Sequence, residues 1–328
     1  MNNKSKCIPC AHEVSEVEQL PGGGLGDADS VVETLRRHLQ AEARERTLRK
    51  VVTGGRFHAV VLDNGSAGMA HLCLDACGEP SRRVADSLPL PATTAVDALA
   101  TLASPARSAV GLATANALAN RFDGCGERWG HTTTEGDVLD VLELEPDDHV
   151  GMVGCFRPVV ERIRRRVRRL SIFERGPRLT ADLLPGDQVA ELLPQCSVAL
   201  ITATTLMNGT IDALLAAAAN CREIVLLGPS TPLVPEVFAK SPRRVSLLSG
   251  VVVTDAEGLL RTAARGGGSR DFKTSVTKVN IRVGSAGDGL PSTECRFPKG
   301  DDTTAKVCAE HSSVGNEAGP RRCAPGRC

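Results

Sequence analysis

Between His149 and Pro232 the chain reads HVGMVGCFRP (149–158), LSIFER (170–175), CSVALITATTLMNGT (196–210) and EIVLLGPSTP (223–232). Each segment is a short apolar run that stops in Gly, Ser, Thr, Asn or Glu, and a stretch with helical spacing follows each. Strands too apolar to alternate, separated by helices, belong to a parallel sheet covered on both faces. The expected strands are 150–153, 170–173, 198–202, 224–227 and 251–253. Helices are expected over 159–168, 187–193, 209–219, 232–239 and 256–264. The carboxyl ends of such strands lie along one edge, which is where open parallel sheets bind ligands.

Working outward, residues 30–145 read differently. Ser30 can cap a helix carrying Val31, Leu35 and Leu39. Strands over 56–62 and 68–74 are joined at Asp63-Asn64-Gly65, a strong hairpin signal. Helices follow over 94–102 and 106–120, the second after Ser104-Pro105. Strands followed by helices make an α+β unit. Residues 1–29 end in PGGGLGDAD, just before Ser30, and read as a flexible leader. Residues 146–270 form the parallel-sheet domain. Beyond Gly266-Gly267-Gly268, a last strand over 276–283 precedes a tail to Cys328 with little apolar content, expected to be disordered. The fold class is therefore α/β, an α+β domain followed by a parallel-sheet domain.

Composition narrows the function classes. The 328 residues contain no tyrosine and one tryptophan, Trp129, so the core is aliphatic and a catalytic tyrosine is excluded. Formal net charge is zero, so nothing global favours nucleic acid or an anionic membrane as partner. No run approaches the roughly 18 apolar residues of a membrane span, and the first ten residues, MNNKSKCIPC, do not resemble a signal peptide. A cytoplasmic location is the expectation. The arginine run Glu161–Arg169 carries Val160, Ile163, Val167 and Leu170 at helical spacing, so it reads as a solvated helix face. A homo-oligomer is compatible with a parallel-sheet protein of this size, but no stretch identifies an interface.

The candidate site residues lie at the strand ends. Gly151 and Gly154 precede Cys155-Phe156-Arg157-Pro158, a turn that lets a ligand approach backbone at a helix start. Tight strand–helix packing is the alternative use of these glycines. Glu174, twenty residues after Gly154, can accept hydrogen bonds from ribose hydroxyls or stand as a surface carboxylate. The full G-x-G-x-x-G is absent, so a nicotinamide site is not indicated. Thr202, Thr204, Thr205, Asn208 and Thr210 exceed what one helix cap requires, and they suit a polar or anionic ligand. Gly228, Ser230 and Thr231 either cap the next helix or cap it and bind a ligand. Asn116 joins this set as an amide better suited to binding than to reaction. None of these groups titrates near neutrality, so proton transfer would need Glu174, Asp255 or a metal-bound water.

Twelve cysteines are present. Cys7-x-x-Cys10-x-His12 and His71-x-Cys73-x-x-x-Cys77 have ligand types at plausible spacing, with ordinary packing as the alternative for each. Cys196 and Cys221 sit in apolar contexts, where a thiol serves as a small hydrophobe.

The segments GDVLDVLELEPDDHVGMVGCFRPVVERI (136–163), SIFER (171–175), ELLPQCSVALITATTLMNGTIDALL (191–215), EIVLLGPSTPLVPEVF (223–238) and SGVVVTD (249–255) resemble the family known as the "putative heavy-metal chelation" domain. The hairpin at Asp63–Gly65 and GLATANAL (111–118) resemble that family's N-terminal partner more loosely. The resemblance implies an enolase-N-terminal-like domain before the Rossmann-like one, with a ligand site between them. It implies a metal or a siderophore- or pterin-like chelator as ligand, with a transition metal as the candidate cofactor. Cys155 stands where the family's turn has an aromatic residue, which removes a stacking ring. Two other functions remain open on the residues: an enzyme of methyltransferase-like fold acting on a pterin- or nucleotide-like molecule, and a non-catalytic ligand sensor.

Overall fold

The computed structural model describes residues 30–72, 93–103, 109–120, 133–175, 180–239 and 244–284. The leader, the tail, Ser104-Pro105, Trp129 and the cysteines at 7, 10, 73 and 77 lie outside them. Helix α1 (Val31–Arg44) opens where expected, with Ser30 Oγ accepting from the Glu33 amide at 3.2 Å. Three strands follow: β1 (Leu48–Thr53), β2 (Phe57–Leu62) and β3 (Ala67–His71). They form an antiparallel sheet in the order β1-β2-β3. The β2–β3 hairpin turns at Gly65, whose φ of 87° explains the glycine. Asn64 Oδ1 accepts from the Ser66 amide across the turn.

Both faces of this small sheet are covered. Phe57, Ala59, Val61, Ala67 and Met69 pack with Leu259, Leu260, Ala263 and Phe272. Val60, Leu62, Ala70 and Leu72 join the cluster that holds α1, α2 (Ala95–Ala100) and α3 (Ala109–Ala119). Every residue of α3 is buried. Its small side chains allow close approach to β3. A Cβ on Gly68 would stand 2.3 Å from Ala113 O and 2.2 Å from the Ala117 nitrogen, so only glycine fits there.

The remaining strands and helices are β4 (Thr133–Glu135), α4 (Val138–Val141), β5 (His149–Val153), α5 (Arg157–Arg164), β6 (Arg169–Glu174), β7 (Leu184–Pro185), α6 (Val189–Leu192), β8 (Val198–Thr202), α7 (Thr205–Asn208), α8 (Ile211–Ala217), β9 (Glu223–Leu227), α9 (Pro235–Ala239), β10 (Leu247–Val253), α10 (Ala256–Ala264) and β11 (Val276–Arg282). They build one eight-stranded sheet in the order β4-β11-β10-β9-β8-β5-β6-β7. Strands β10, β9, β8, β5, β6 and β7 are parallel, and β11 runs antiparallel to both β10 and β4. The fold is thus mixed α/β with two sheets, the larger mostly parallel.

Three strands are invisible to pattern reading. β1 is LRKVVT, with Arg49 and Lys50 exposed, so it shows no clean alternation. β4 has three residues and β7 two, too few for a period. Helix α9 begins at Pro235, three residues later than expected, because the 228–232 stretch is used elsewhere.

The amino ends of the large sheet's strands are tied by a polar network. Asp148, before β5, accepts from Ser197 Oγ at 2.7 Å, from the Glu145 amide at 2.7 Å and from Arg222. Ser197 Oγ in turn accepts from the His149 amide. Ser246 Oγ accepts from the Ile224 amide and donates to Glu223. Arg282 on β11 grips both Glu223 oxygens at 2.9 Å and donates to Val141 O at 2.7 Å. Burial alone would raise the Asp148 pKa, but the Ser197 hydroxyl, the Glu145 amide and Arg222 outweigh it and hold the carboxyl below its usual range.

Candidate functional site at the carboxyl ends of the strands

The opposite end of the same strands is built otherwise. Strand β5 pairs with β6 on one side and β8 on the other. The chain therefore leaves β5 and β8 toward different halves of the sheet, the point at which such sheets open a crevice. Gly154 follows β5 with φ of 87°, and its amide donates to Phe173 O at 2.8 Å. A Cβ there would meet Thr202 Cγ2 at 3.0 Å, so the two strand ends touch through a glycine. Gly228, after β9, has φ of 118°, and the Phe156 ring edge stands 3.3 Å from where its Cβ would be. Gly154, Phe156, Thr202 and Gly228 thus stand together. Gly151 does not join them. It is buried in mid-strand, its missing Cβ replaced by Leu193 Cδ1 at 2.6 Å and Cys196 Sγ at 2.9 Å, which is the packing use of the residue.

The threonines shape the turn after β8. Thr202 and Thr204 share a hydroxyl contact at 3.0 Å, and Thr205 Oγ1 donates to Thr202 O at 2.6 Å. Asn208 Oδ1 accepts from both the amide and the hydroxyl of Thr210. Asn208 is exposed, while Thr202, Thr204 and Thr210 are half-buried. Neither Asn208 nor Thr210 caps α8 through its side chain.

Glu174 has a definite structural task. One oxygen accepts from the Cys155 amide at 2.8 Å and the other from the Arg175 amide at 3.0 Å. The carboxylate clamps the turn after β5 to the end of β6. Arg157, the next charged residue, is exposed and makes no hydrogen bond or ion pair among the described residues. Between them Cys155 is a half-buried free thiol whose pKa burial pushes up.

Ser230 and Asn116 work as braces. Ser230 Oγ accepts from the His71 amide at 2.8 Å. Asn116 Nδ2 donates to Met69 O at 2.7 Å and Ser230 O at 3.1 Å. Together they tie α3 and β3 to the loop after β9, which is why that loop does not begin a helix at Pro232. The seam carries buried polar atoms that pattern reading misses. Asn116 Oδ1, Thr231 Oγ1 and His58 Nδ1 are buried without a hydrogen-bond partner. Orphaned buried groups of this kind call for a water, an ion or a ligand atom. His58 lies at an alternating position with Val60 and Leu62, on the α3 side of β2, and burial lowers its pKa, so it is neutral at pH 7. Its only sequence signal was a histidine inside an apolar strand.

The donor set at this edge is hydroxyl, amide and guanidinium, with one carboxylate already bonded and one thiol. That set does not fit direct coordination of a soft metal ion. Among the described residues, no three His, Cys, Asp or Glu side chains are grouped as a metal centre. No helix among them is long and apolar enough to cross a membrane.

Comparison with known proteins places the chain. Two family models match it, both described as "Putative heavy-metal chelation", one over residues 36–119 and one over residues 137–282. An uncharacterized protein of Methanocaldococcus jannaschii is 35% identical over 146 residues, which is 43% of this chain and 56% of that protein. The match thus spans about half of the relative's length. Two crystal structures of proteins of unknown function share the fold. One, from Pyrococcus horikoshii, has a TM-score of 0.66 at 20% identity and covers 77% of this chain and 100% of its own. The other, from Desulfitobacterium hafniense, has a TM-score of 0.59 at 21% identity and covers 76% and 98%. Both come from the family of the 137–282 match, and residues 36–119 and 137–282 of this chain belong to the paired families described as "Putative heavy-metal chelation".

Proposed function

We propose that the edge formed by Gly154, Phe156, Arg157, Thr202, Thr204, Thr210 and Gly228 binds a small, oxygen-rich, anionic ligand of chelator type. In this reading a metal arrives held by that ligand and is not ligated by the protein. The observation that carries the reading is the strand-end contact of Gly154 with Thr202 at the switch point, beside an exposed Arg157 that is unpaired among the described residues. Two positive-φ glycines let a ligand reach backbone, hydroxyls supply neutral donors, and the guanidinium can take a carboxylate in a bidentate grip. The buried orphans Asn116 Oδ1 and Thr231 Oγ1 lie beside this edge, and in this reading they offer further polar atoms to the ligand. A nucleotide-binding use is less well supported, because both Glu174 oxygens already accept backbone amides.

The test is calorimetric titration of the full chain with citrate, a catecholate and a hydroxamate, each metal-free and iron(III)-loaded, against iron(III), nickel(II) and zinc(II) salts at the same concentrations. Binding of a chelator or chelate is expected to exceed binding of the bare salts at this edge. Saturable binding of a bare ion that Arg157→Ala and Gly228→Val leave unchanged, with every chelator silent, would sink the reading.

A further inference from the structure

Cys196 and Cys221 each stand two residues before a strand, β8 and β9, at the end of the sheet opposite the ligand edge. The two strands run parallel with Val198 opposite Glu223. The ladder continues backward, since the Arg222 amide donates to Ser197 O at 2.8 Å. The same register sets Cys196 opposite Cys221. Both side chains join one apolar cluster with Val189, Leu193, Leu214 and Ala218, so both thiols occupy the same face of the sheet. Cys221 Sγ lies 3.2 Å from Cys196 O, and Cys196 Sγ lies 3.4 Å from Leu192 O. Neither is in a disulfide. Cys196 is buried and Cys221 is half-exposed.

We propose that Cys196 and Cys221 form a two-coordinate site for a strongly thiophilic cation of the mercury(II) class, entered along the exposed flank of Cys221. The polar atoms in contact with the thiols are the Cys196 and Leu192 carbonyls, poor ligands for a soft ion, and among the described residues no third His, Cys, Asp or Glu groups with the pair, so coordination stops at two sulfurs. Zinc requires four ligands of N or S type and is excluded by the same shortage. In the binding step two S–H bonds break, two sulfur–metal bonds form and two protons pass to solvent. No oxidation state changes. The site stands on its own observations and is independent of the strand-edge reading.

The experiment maps each cysteine by mass spectrometry after brief native alkylation with N-ethylmaleimide. The protein is first equilibrated with mercury(II) chloride at one equivalent, zinc(II) chloride at one equivalent, or no metal, in excess 2-mercaptoethanol, which is removed by rapid desalting before the alkylation. The monothiol keeps the protein reduced and strips mercury from single thiols. A chelating pair retains it through the high effective concentration of the second sulfur, slowing Cys221 labelling by about tenfold or more. In Cys196→Ala and Cys196→Ser, with folding checked by circular dichroism, Cys221 remains but mercury should no longer protect it. Unprotected Cys221 in the wild type, equal protection in the folded variants, or equal protection by zinc would each overturn the proposal.

Discussion

The two ends of the large sheet are made from the same strands and have opposite characters. At the amino ends, Asp148, Ser197, Arg222, Ser246, Glu223 and Arg282 spend their hydrogen bonds on one another and on strand backbone. At the carboxyl ends, two positive-φ glycines, a row of threonines and an exposed Arg157 leave capacity for something else. A sheet needs its strand starts tied only once. The amino end uses its polar groups to fix register, and the carboxyl end is where we propose that a ligand binds.

The largest effect should come from breaking the tied end. Asp148→Ala removes a buried carboxylate that accepts three hydrogen bonds, and should cost about 2–3 kcal/mol in urea unfolding. Chelator affinity per folded molecule should not change. If affinity falls with stability, the two ends are not separable.

Gly228→Val comes next. A β-branched side chain at φ of 118° is strained by about 1–3 kcal/mol, and its Cβ would press on Phe156. Here affinity should fall by far more than stability accounts for. Retained binding would show that the Phe156–Gly228 contact is packing alone.

Acid should separate the Asp148 contribution from that of the buried histidines without mutation. Asp148 has a folded pKa below its unfolded value, so its contribution is complete above about pH 4 and is lost as pH falls through the folded pKa. Histidines 58, 71 and 149 have folded pKa values lowered chiefly by burial, so their unfolded forms bind protons first. Stability should therefore decline as pH drops below about 6.5. His58→Leu should flatten that upper limb and leave the lower limb intact. An unchanged upper limb would remove His58 from the account.

The smallest stability effect belongs to Arg157→Ala, within about 0.5 kcal/mol because the side chain is exposed and, among the described residues, unpaired. Chelator binding should nonetheless weaken by about tenfold, equivalent to about 1.4 kcal/mol.

Legibility followed the same divide. The parallel strands β5, β6, β8 and β9 are uninterrupted apolar runs with polar stops, so both they and the residues at their ends could be read directly. The hairpin at Asp63–Gly65 and the Ser30 cap were equally plain, because local turn chemistry specifies them. Roles that depend on tertiary partners were not readable. Nothing local distinguishes Gly151, filled by Leu193 and Cys196, from Gly154, which turns the chain. Ser230 looked like a cap and instead holds the His71 amide, 159 positions away. Glu174 reads equally as a ribose acceptor or a surface carboxylate, and its clamp on the Cys155 turn depends on a partner 19 positions away. Short strands β4 and β7 carry too few residues to show a period.

The account rests most directly on whether the carboxyl edge binds a chelator. Calorimetric titration of wild type and Gly228→Val with citrate, catecholate and hydroxamate chelators, free and iron(III)-loaded, measures that. The prediction is saturable binding of at least one of them by the wild type, weakened by about tenfold or more in a variant that remains folded. No binding of any chelator by the wild type, or equal binding by the folded variant, would contradict it.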